Sequence, residues 1–174
     1  MPELRILTFN ARGIRQPSKR RALFRFFHFH FPQHIAVIQE THSCQRDIHY
    51  WQAEWGSDII FSHGKTTNES GVAILLPRSL QGCCIASVSY CSDEGRLIIA
   101  DLTFSKFTLK LFAAYAPTQG HTSEQKQFFS LIDEKINALS ESEKSYIIFC
   151  GDLNTHLSSQ DTTSPGFRVS PAAN

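Results

Sequence analysis

Hydrophobic residues along the chain occur in two patterns, short continuous runs and longer stretches in which apolar residues recur every three or four positions. The continuous runs have the length and the flanking turn residues of buried β-strands, so they predict eight strands. These runs are LRILTFN (4–10), IAVIQE (35–40), DIIFSHG (58–64), GVAILLP (71–77), CCIASVSY (83–90), RLIIADLTF (96–104), TLKLFAAYAP (108–117) and YIIFCGDLN (146–154). The periodic stretches predict helices between them.

Three helices are expected, and the polar residues that should begin them are Ser18, Ser43 and Thr122, the last paired with Gln125 in a capping-box pattern. Pro32 should end the first helix. The expected buried faces are Leu23, Phe26, Phe27 and Phe31 in the first helix, Ile48, Trp51 and Trp55 in the second, and Phe128, Ile132, Ile136 and Leu139 in the third.

The order of these elements indicates the fold class. Strands and helices alternate at the front, a β-meander fills the middle, and a helix and a strand follow, which predicts an α/β fold with mixed sheets. Several strands are apolar on both faces, so helices or a second sheet must cover them. With 174 residues, 41% hydrophobic and 19% charged, the chain can form one domain with a core and does not have the composition of a disordered protein.

Charge, apolar runs and cysteines exclude some classes of protein. The formal net charge of +1 neither requires nor excludes an anionic partner. No apolar run reaches the length of a membrane span, and the N-terminus lacks the apolar core of a signal peptide. The five cysteines are odd in number and include no C-x-x-C pair, which disfavours a disulfide framework or a zinc site. We therefore expect an intracellular protein in a reducing compartment.

Polar or aromatic side chains stand where four apolar strands end. In open α/β sheets, ligands bind at the carboxyl ends of strands, so these side chains could meet in one site. Each of them has a local explanation as a turn former or a hydrogen-bond partner, but their recurrence at successive strand ends predicts a shared site. The side chains are Asn10, Gln39 with Glu40, Tyr115, and Asp152 with Asn154.

These residue types suit hydrolysis of a phosphodiester. Glu40 can hold a hard cation such as Mg²⁺ or Mn²⁺, since such ions take one or two protein carboxylates and keep several waters. Asp152 can orient and deprotonate the attacking water, and Tyr115 can donate a hydrogen bond to a phosphate oxygen. Asn154 follows Asp152 by two positions, so on a continuing strand both side chains would face the same way.

Five segments, in their order along the chain, carry a resemblance to a known family. LTFNARGI, VIQETH, SGVAILLP, AAYAPT and FCGDLNTHLS resemble the endonuclease/exonuclease/phosphatase superfamily, which includes exonuclease III-like abasic-site endonucleases and deoxyribonuclease I. FNARGI, QETH, YAPT and GDLNTHLSSQD are more similar to the endonuclease domain of LINE-type (non-LTR) retrotransposons. The resemblance covers residues 4 to 161, so we expect a domain over 1–161 and a disordered or unrelated tail over 162–174.

The resemblance implies a four-layer α/β sandwich, in which helices flank two packed mixed β-sheets, and it implies a role for each candidate residue. Glu40 would bind Mg²⁺ or Mn²⁺ directly, with help from Asn10. Tyr115 would contact the scissile phosphate, Asp152 would activate the water, and Asn154 would orient it.

The implied substrate is DNA, nicked on one strand to leave a 3′ hydroxyl that primes reverse transcription, and a nuclease of this kind would act in the nucleus. No membrane and no obligate protein partner are implied. Arg15 and Lys19 belong to a basic cluster with Arg20 and Arg21 that suits contact with the DNA backbone. The cluster suits a solvated helix face equally well.

One part of the family pattern has no counterpart in the sequence. The resemblance implies further strands after GDLN, the last of which carries a Ser-Asp-His motif whose histidine stabilises the pentacovalent phosphate. Neither His156 nor His42 is expected to replace that histidine. We therefore expect a fold incomplete at the C-terminus and little or no activity. The alternatives are a non-catalytic remnant that binds DNA weakly, and a phosphodiesterase or phosphatase with another substrate.

Overall fold

A computed structural model of the chain describes residues 3–118, 121–144 and 146–155. The expected end of the domain at residue 161, the side chain of His156 and the expected tail at 162–174 lie outside the described residues. Among the residues that are described, no helix combines the length and the apolar character needed to cross a bilayer.

The chain divides into two compact units, and the first, formed by residues up to 115 together with 146–152, contains the eight strands found among the described residues. One sheet has the order β1-β2-β4-β3 and comprises β1 (Arg5–Asn10), β2 (His34–Gln39), β3 (Ile59–Ser62) and β4 (Val72–Leu75). The other has the order β5-β6-β7-β8 and comprises β5 (Ile85–Cys91), β6 (Leu97–Thr103), β7 (Thr108–Tyr115) and β8 (Ile147–Asp152). Each sheet is mixed, with one parallel pair, β1/β2 or β7/β8.

The two sheets of this unit pack face to face. Successive residues of a strand point to opposite faces, so alternate residues of β2 and β4 meet alternate residues of β6 and β7. The buried side chains of this core include Ile35, Val37, Val72, Ile74, Ile98, Ala100, Leu102, Leu111 and Ala113. Because β2, β4, β6 and β7 are the inner strands, their runs are apolar on both faces, as the sequence indicated.

Helices α1 (Pro17–His30) and α2 (Ile48–Trp55) cover the other face of the first sheet. Burial of large aromatic side chains drives this packing. The hydrophobic core between these helices and the sheet contains Phe24, Phe27, Trp51 and Trp55, together with Ala36, Ile38, Ala73 and Leu75 of the sheet. The expected α/β fold, with two packed mixed sheets and flanking helices, is therefore confirmed.

Helix α1 differs in detail from its prediction. It begins at Pro17, whose fixed φ suits the first helical position, and Gln16 precedes it without a side-chain cap. Ser18 is therefore inside the helix, and the prediction that it caps the helix was wrong. The buried face is also rotated, because Phe24 is buried whereas Phe26 is 47% exposed.

The expected cap of α2 was also wrong. A one-turn 3₁₀ helix at Gln45–Asp47 precedes α2, and Ser43 is fully buried in the loop before it. The Ser43 hydroxyl bonds to Thr41 and His63 rather than to a helix end.

The second unit contains α3 (Thr122–Asn137) and α4 (Glu141–Lys144). Thr122 and Gln125 do not form the predicted capping box. The Gln125 amide donates instead to the carbonyl oxygens of Pro117 at 2.7 Å and Asn154 at 3.0 Å. Phe128 and Ile132 of α3 are buried, as their spacing predicted.

Candidate active site

The two parallel strand pairs of the first unit bring polar strand ends together. Parallel strands end at the same edge of a sheet, so residues at their carboxyl ends become neighbours. Asn10 of β1 lies opposite Gln39 of β2, and Glu40 follows directly. Tyr115 of β7 lies opposite Asp152 of β8.

Four side chains from these ends form one hydrogen-bonded cluster. The Asn10 amide nitrogen donates to Glu40 Oε1 at 2.8 Å and to Asp152 Oδ2 at 2.9 Å. The Tyr115 hydroxyl donates to Glu40 Oε1 at 2.9 Å. The two carboxylate oxygens bonded to Asn10 therefore lie no more than about 6 Å apart, since each is within hydrogen-bonding distance of one nitrogen. The structure thus brings together four of the residues selected from the sequence.

The backbone at Glu40 has an unusual conformation. Its φ of 51° lies in the left-handed region, which non-glycine residues seldom occupy. Two backbone hydrogen bonds hold this segment: Gly13 N–H donates to the Glu40 carbonyl at 2.7 Å, and Thr41 N–H donates to the Gly71 carbonyl at 3.0 Å. Residues held in such conformations by their surroundings cluster at functional sites.

The donor set at this cluster suits a hard divalent cation. Both hydrogen bonds to Glu40 reach Oε1, and no residue in the described ranges donates to Oε2. Mg²⁺ is commonly held by one or two carboxylates together with water. The described part of the chain contains no group of three or more His, Cys, Asp or Glu side chains that could hold a metal. A cation here would therefore rest on Glu40 and Asp152 and on water.

The side-chain nitrogen of Asn10, rather than its oxygen, faces the carboxylates of Glu40 and Asp152. Its side-chain oxygen accepts the N–H of Arg12 at 3.1 Å, while its amide hydrogens face the two carboxylates. In this arrangement Asn10 orients Glu40 and Asp152 and separates their charges.

Tyr115 is kept in its protonated form. Burial, together with the hydrogen bond to Glu40, raises the pKa of Tyr115 to about 12. At neutral pH its hydroxyl is therefore a hydrogen-bond donor.

A further cation beside the cluster was missed by the sequence reasoning. The Arg96 guanidinium carbon lies 5.4 Å from the centre of the Tyr115 ring. The pairing of strands in the β6–β7 hairpin could have predicted this contact. Leu97 pairs with Ala114, and this register places Arg96 opposite Tyr115. A buried tyrosine with a cation on its face is a suitable neighbour for an anionic phosphate.

Gly151 allows Asp152 to reach this position. Its φ is 148°, and a Cβ at this residue would overlap the carbonyl oxygen of Ala114 on the neighbouring strand. Only glycine permits this approach of β8 to β7, which places Asp152 next to Tyr115 in the parallel register.

Asn154, the remaining predicted catalytic residue, lies in the second unit. Strand β8 ends at Asp152, and Asn154 has a φ of 47°, so strand alternation does not apply to it and the argument from a two-residue offset was wrong. Its amide nitrogen donates to the carbonyl oxygen of Ala116 at 2.7 Å.

The predicted DNA-contacting residues are engaged within the protein. Arg15 Nε lies 3.2 Å from Asp47 Oδ2, and Lys19 Nζ donates to the carbonyl oxygens of Ala11 and Arg12 at 2.9 and 2.8 Å. Lys19 thereby supports the turn that follows β1. Arg15 remains partly exposed, with 42% of its side chain accessible.

Arg20 does not belong to a solvated basic cluster. It is 5% exposed, pairs with Glu54 at 2.6 Å and lies over the ring of Trp51. Its burial therefore fits neither of the two explanations that the sequence left open for this cluster, a DNA backbone contact or a solvated helix face. Arg21 remains on the exposed side of the same helix, although it also pairs with Glu54 at 3.0 Å.

Comparison with known proteins supports this architecture. The model of the endonuclease/exonuclease/phosphatase family matches residues 7–169. A humanised D. rerio TDP2 carrying 14 mutations is 22% identical, with a TM-score of 0.62 over 88% of this chain and 63% of its own. D. rerio TDP2 complexed with a single-strand DNA product is 20% identical, with a TM-score of 0.61 over 88% and 61%.

A family protein from Bacteroides thetaiotaomicron is 13% identical, with a TM-score of 0.58 over 91% of this chain and 66% of its own. At these identities the likeness shows the fold, and this chain spans less than two thirds of the D. rerio proteins. The match of the family model over nearly the whole length shows that the chain belongs to the endonuclease/exonuclease/phosphatase family.

Proposed function

We propose that this protein is a DNA endonuclease that hydrolyses phosphodiester bonds with Mg²⁺ or Mn²⁺ as its cofactor. Members of the family are hydrolases of phosphodiester bonds and generally use divalent metals. The observation that carries the proposal is the Asn10 amide, which bridges the carboxylates of Glu40 and Asp152 while Tyr115 bonds to Glu40.

Each residue of the cluster has a separate task in this proposal. When bound, the cation would polarise a phosphoryl oxygen and offset the negative charge that develops on it. Glu40 would hold this ion through Oε2, and Asp152 would accept the proton of the attacking water. Tyr115 would donate its hydroxyl to a phosphate oxygen, and Arg96 would attract the same anionic group.

The Asn10 bridge makes this division of labour possible. Each carboxylate accepts one hydrogen from the same amide, so Asn10 links the two carboxylates and holds them in place. Glu40 is thereby oriented to serve as a ligand and Asp152 to serve as a base.

DNA is the proposed substrate for two reasons. D. rerio TDP2, which shares the fold, is described as a complex with a single-strand DNA product. The segments FNARGI, QETH, YAPT and GDLNTHLSSQD resemble the LINE-type branch, whose endonuclease acts on DNA. A nuclear location and a role in retrotransposition belong to this proposal, as do backbone contacts by Arg15 and Lys19 and orientation of the water by Asn154.

We expect nicking to be slow. The 174 residues to be tested contain no Ser-Asp-His motif, so this stretch by itself does not supply the histidine that the family resemblance implies. Loss of one member of a cooperating catalytic set commonly lowers kcat by about 10³- to 10⁶-fold.

Nicking of supercoiled plasmid, with Mg²⁺ or Mn²⁺ and with EDTA, tests the proposal. We expect slow conversion to the open-circle form that requires the metal and is lost in Glu40→Gln and Asp152→Asn. Asp133→Asn is the matched control, because Asp133 is an exposed carboxylate of α3. Electron paramagnetic resonance of Mn²⁺ measures the metal site without turnover, and Glu40→Gln should weaken this binding.

The outcomes distinguish the candidate functions. Nicking that survives both substitutions would refute the assignment of Glu40 and Asp152. DNA binding without metal binding or nicking would favour the non-catalytic module. Metal-dependent hydrolysis of a small phosphodiester without action on DNA would point to another substrate in the same family.

A further inference from the structure

A chain of buried hydrogen bonds leads from the residue after Glu40 to a histidine on another strand. The side chains of Thr41 and Ser43 are fully buried. Thr41 Oγ1 and Ser43 Oγ are 3.0 Å apart, and Ser43 Oγ lies 2.9 Å from Nδ1 of His63. The N–H of Ser43 also donates to Thr41 Oγ1 at 3.4 Å.

Sheet topology explains why these residues meet. Both β2 and β3 pair with β4, and Gln39 and Ser62 lie on either side of Val72. The loop after β2 and the first residue after β3 therefore reach the same edge of the sheet. Gly71, just before β4, completes the arrangement, because a Cβ there would overlap Thr41 Oγ1.

One neutral tautomer of His63, with its proton on Nε2, allows a complete chain of hydrogen bonds. In that tautomer Nδ1 can accept the Ser43 hydroxyl and Ser43 can accept the Thr41 hydroxyl, while Thr41 accepts the Ser43 N–H. Protonation would make Nδ1 a donor, so the Ser43 hydroxyl would lose Nδ1 as its acceptor and would have to turn away from the ring.

Burial and nearby polar groups act on the charge state of His63 in opposite directions. Burial lowers the pKa of His63, whereas the charge of Asp47 and a hydrogen bond with the backbone of Ser43 oppose this shift. Asp47 is itself paired with Arg15. The ring of His63 stacks on Phe61 with centroids 5.3 Å apart, which fixes its plane.

We propose that the neutral His63 side chain, acting through Ser43, is a positioning residue for Glu40. The loop it supports contains two left-handed residues, Glu40 with a φ of 51° and His42 with a φ of 56°. Such residues persist only where surrounding contacts hold them. His63 and Ser43 do not bond to the Glu40 carboxylate, so they act by fixing the backbone that aims it. This inference rests on the proposed function, in which Glu40 binds the metal.

Four variants separate positioning from simple stability. His63→Leu removes the hydrogen-bond acceptor, whereas His63→Asn keeps a side-chain oxygen near the position of Nδ1. Ser43→Ala interrupts the chain. Ser62→Ala is the matched control, since Ser62 is equally buried and its hydroxyl donates to the Ser92 carbonyl at 2.7 Å, outside the chain.

Mn²⁺ affinity as a function of pH is the main measurement. We expect Ser43→Ala and His63→Leu to weaken Mn²⁺ binding by about 10- to 100-fold, as is usual when a group that orients a metal ligand is lost. Ser62→Ala and His63→Asn should stay close to the wild type. Wild-type affinity should fall as His63 becomes protonated, and His63→Asn should lack that part of the pH dependence. Asp47→Asn should move this step to lower pH, because it removes the charge that favours the protonated ring.

Nuclear magnetic resonance gives a second measurement that does not require metal or activity. The backbone amide of Glu40 should shift with the titration of His63 in the wild type, and this response should disappear in Ser43→Ala.

The two measurements distinguish failure of the inference from failure of the proposed function. Wild-type metal affinity in His63→Leu, or equal losses in Ser62→Ala and Ser43→Ala, would overturn the positioning role while the nuclease proposal stands. Wild-type metal binding in Glu40→Gln would refute the proposed function. In that case the nuclear magnetic resonance measurement still decides the positioning role. A Glu40 amide signal that does not shift with the titration of His63 would overturn the inference as well, and a shift that disappears in Ser43→Ala would support it.

Discussion

Tyr115→Phe provides a quantitative test of the candidate site, because it removes one hydroxyl and leaves the buried ring in place. The tyrosine is 8% exposed, and its pKa of about 12 exceeds the ordinary value of 10. A difference of two pKa units corresponds to about 2.7 kcal/mol between the two protonation states. We expect this free energy to appear as a pH dependence of stability.

The sign of the effect follows from which state loses the proton first. Between pH 10 and pH 12, Tyr115 of the unfolded chain is ionised while the folded protein keeps the proton. The unfolded state then binds fewer protons, so the free energy of unfolding falls as pH rises. The contribution is complete below pH 10, and up to about 2.7 kcal/mol is lost by pH 12 and above.

Urea unfolding between pH 8 and pH 11.5, followed by the fluorescence of the buried tryptophans, measures this loss. Other groups titrate in the same range, so the quantity to compare is the difference between wild type and Tyr115→Phe. Tyr50→Phe is the matched control, because Tyr50 is 71% exposed. The wild type should lose more stability than Tyr115→Phe as pH rises, and Tyr50→Phe should behave like the wild type. Parallel curves for wild type and Tyr115→Phe would refute the assigned environment of Tyr115.

Three further substitutions test other parts of the structure. Gly151→Ala should destabilise the protein by about 2–3 kcal/mol and abolish metal-dependent nicking, because the added methyl overlaps the neighbouring strand; unchanged thermal unfolding would contradict this. Arg20→Ala should lower the free energy of unfolding by about 1–3 kcal/mol, since Glu54 then keeps only its exposed partner Arg21, and an unchanged urea midpoint would argue against the Arg20–Glu54 pair. Arg96→Ala should raise the KM for DNA more than it lowers kcat if the guanidinium over Tyr115 attracts phosphate, and an unchanged KM would exclude that role.

The strands could be predicted from the sequence because burial alone determines which residue types they contain. The inner strands β2, β4, β6 and β7 need apolar residues on both faces, and the resulting runs are visible without any knowledge of their neighbours. Predictions of helix ends were poorer. Ser43 and Gln125 have the side chains of capping residues, but tertiary partners bind them instead.

The candidate site was predictable only in part, for a related reason. Polar residues recur at the ends of strands along the chain. Parallel pairing of β1 with β2 and of β7 with β8 brings these strand ends close together in space. Which atoms then contact each other depends on distances of a few tenths of an ångström. The sequence could not show that Asn10 faces the carboxylates with its nitrogen, or that Arg96 lies over the ring of Tyr115.

The sequence by itself determined the α/β class, the eight strands and the identity of the side chains at the strand ends, because hydrophobic periodicity and residue chemistry are local properties. Only the tertiary structure decided which buried polar groups meet, from the Asn10 bridge between Glu40 and Asp152 to the hydrogen bonds that link Ser43 to His63. The physical reason is that a hydrogen bond requires two groups at about 2.9 Å, and residues far apart in sequence reach that distance only through the packing of the whole unit.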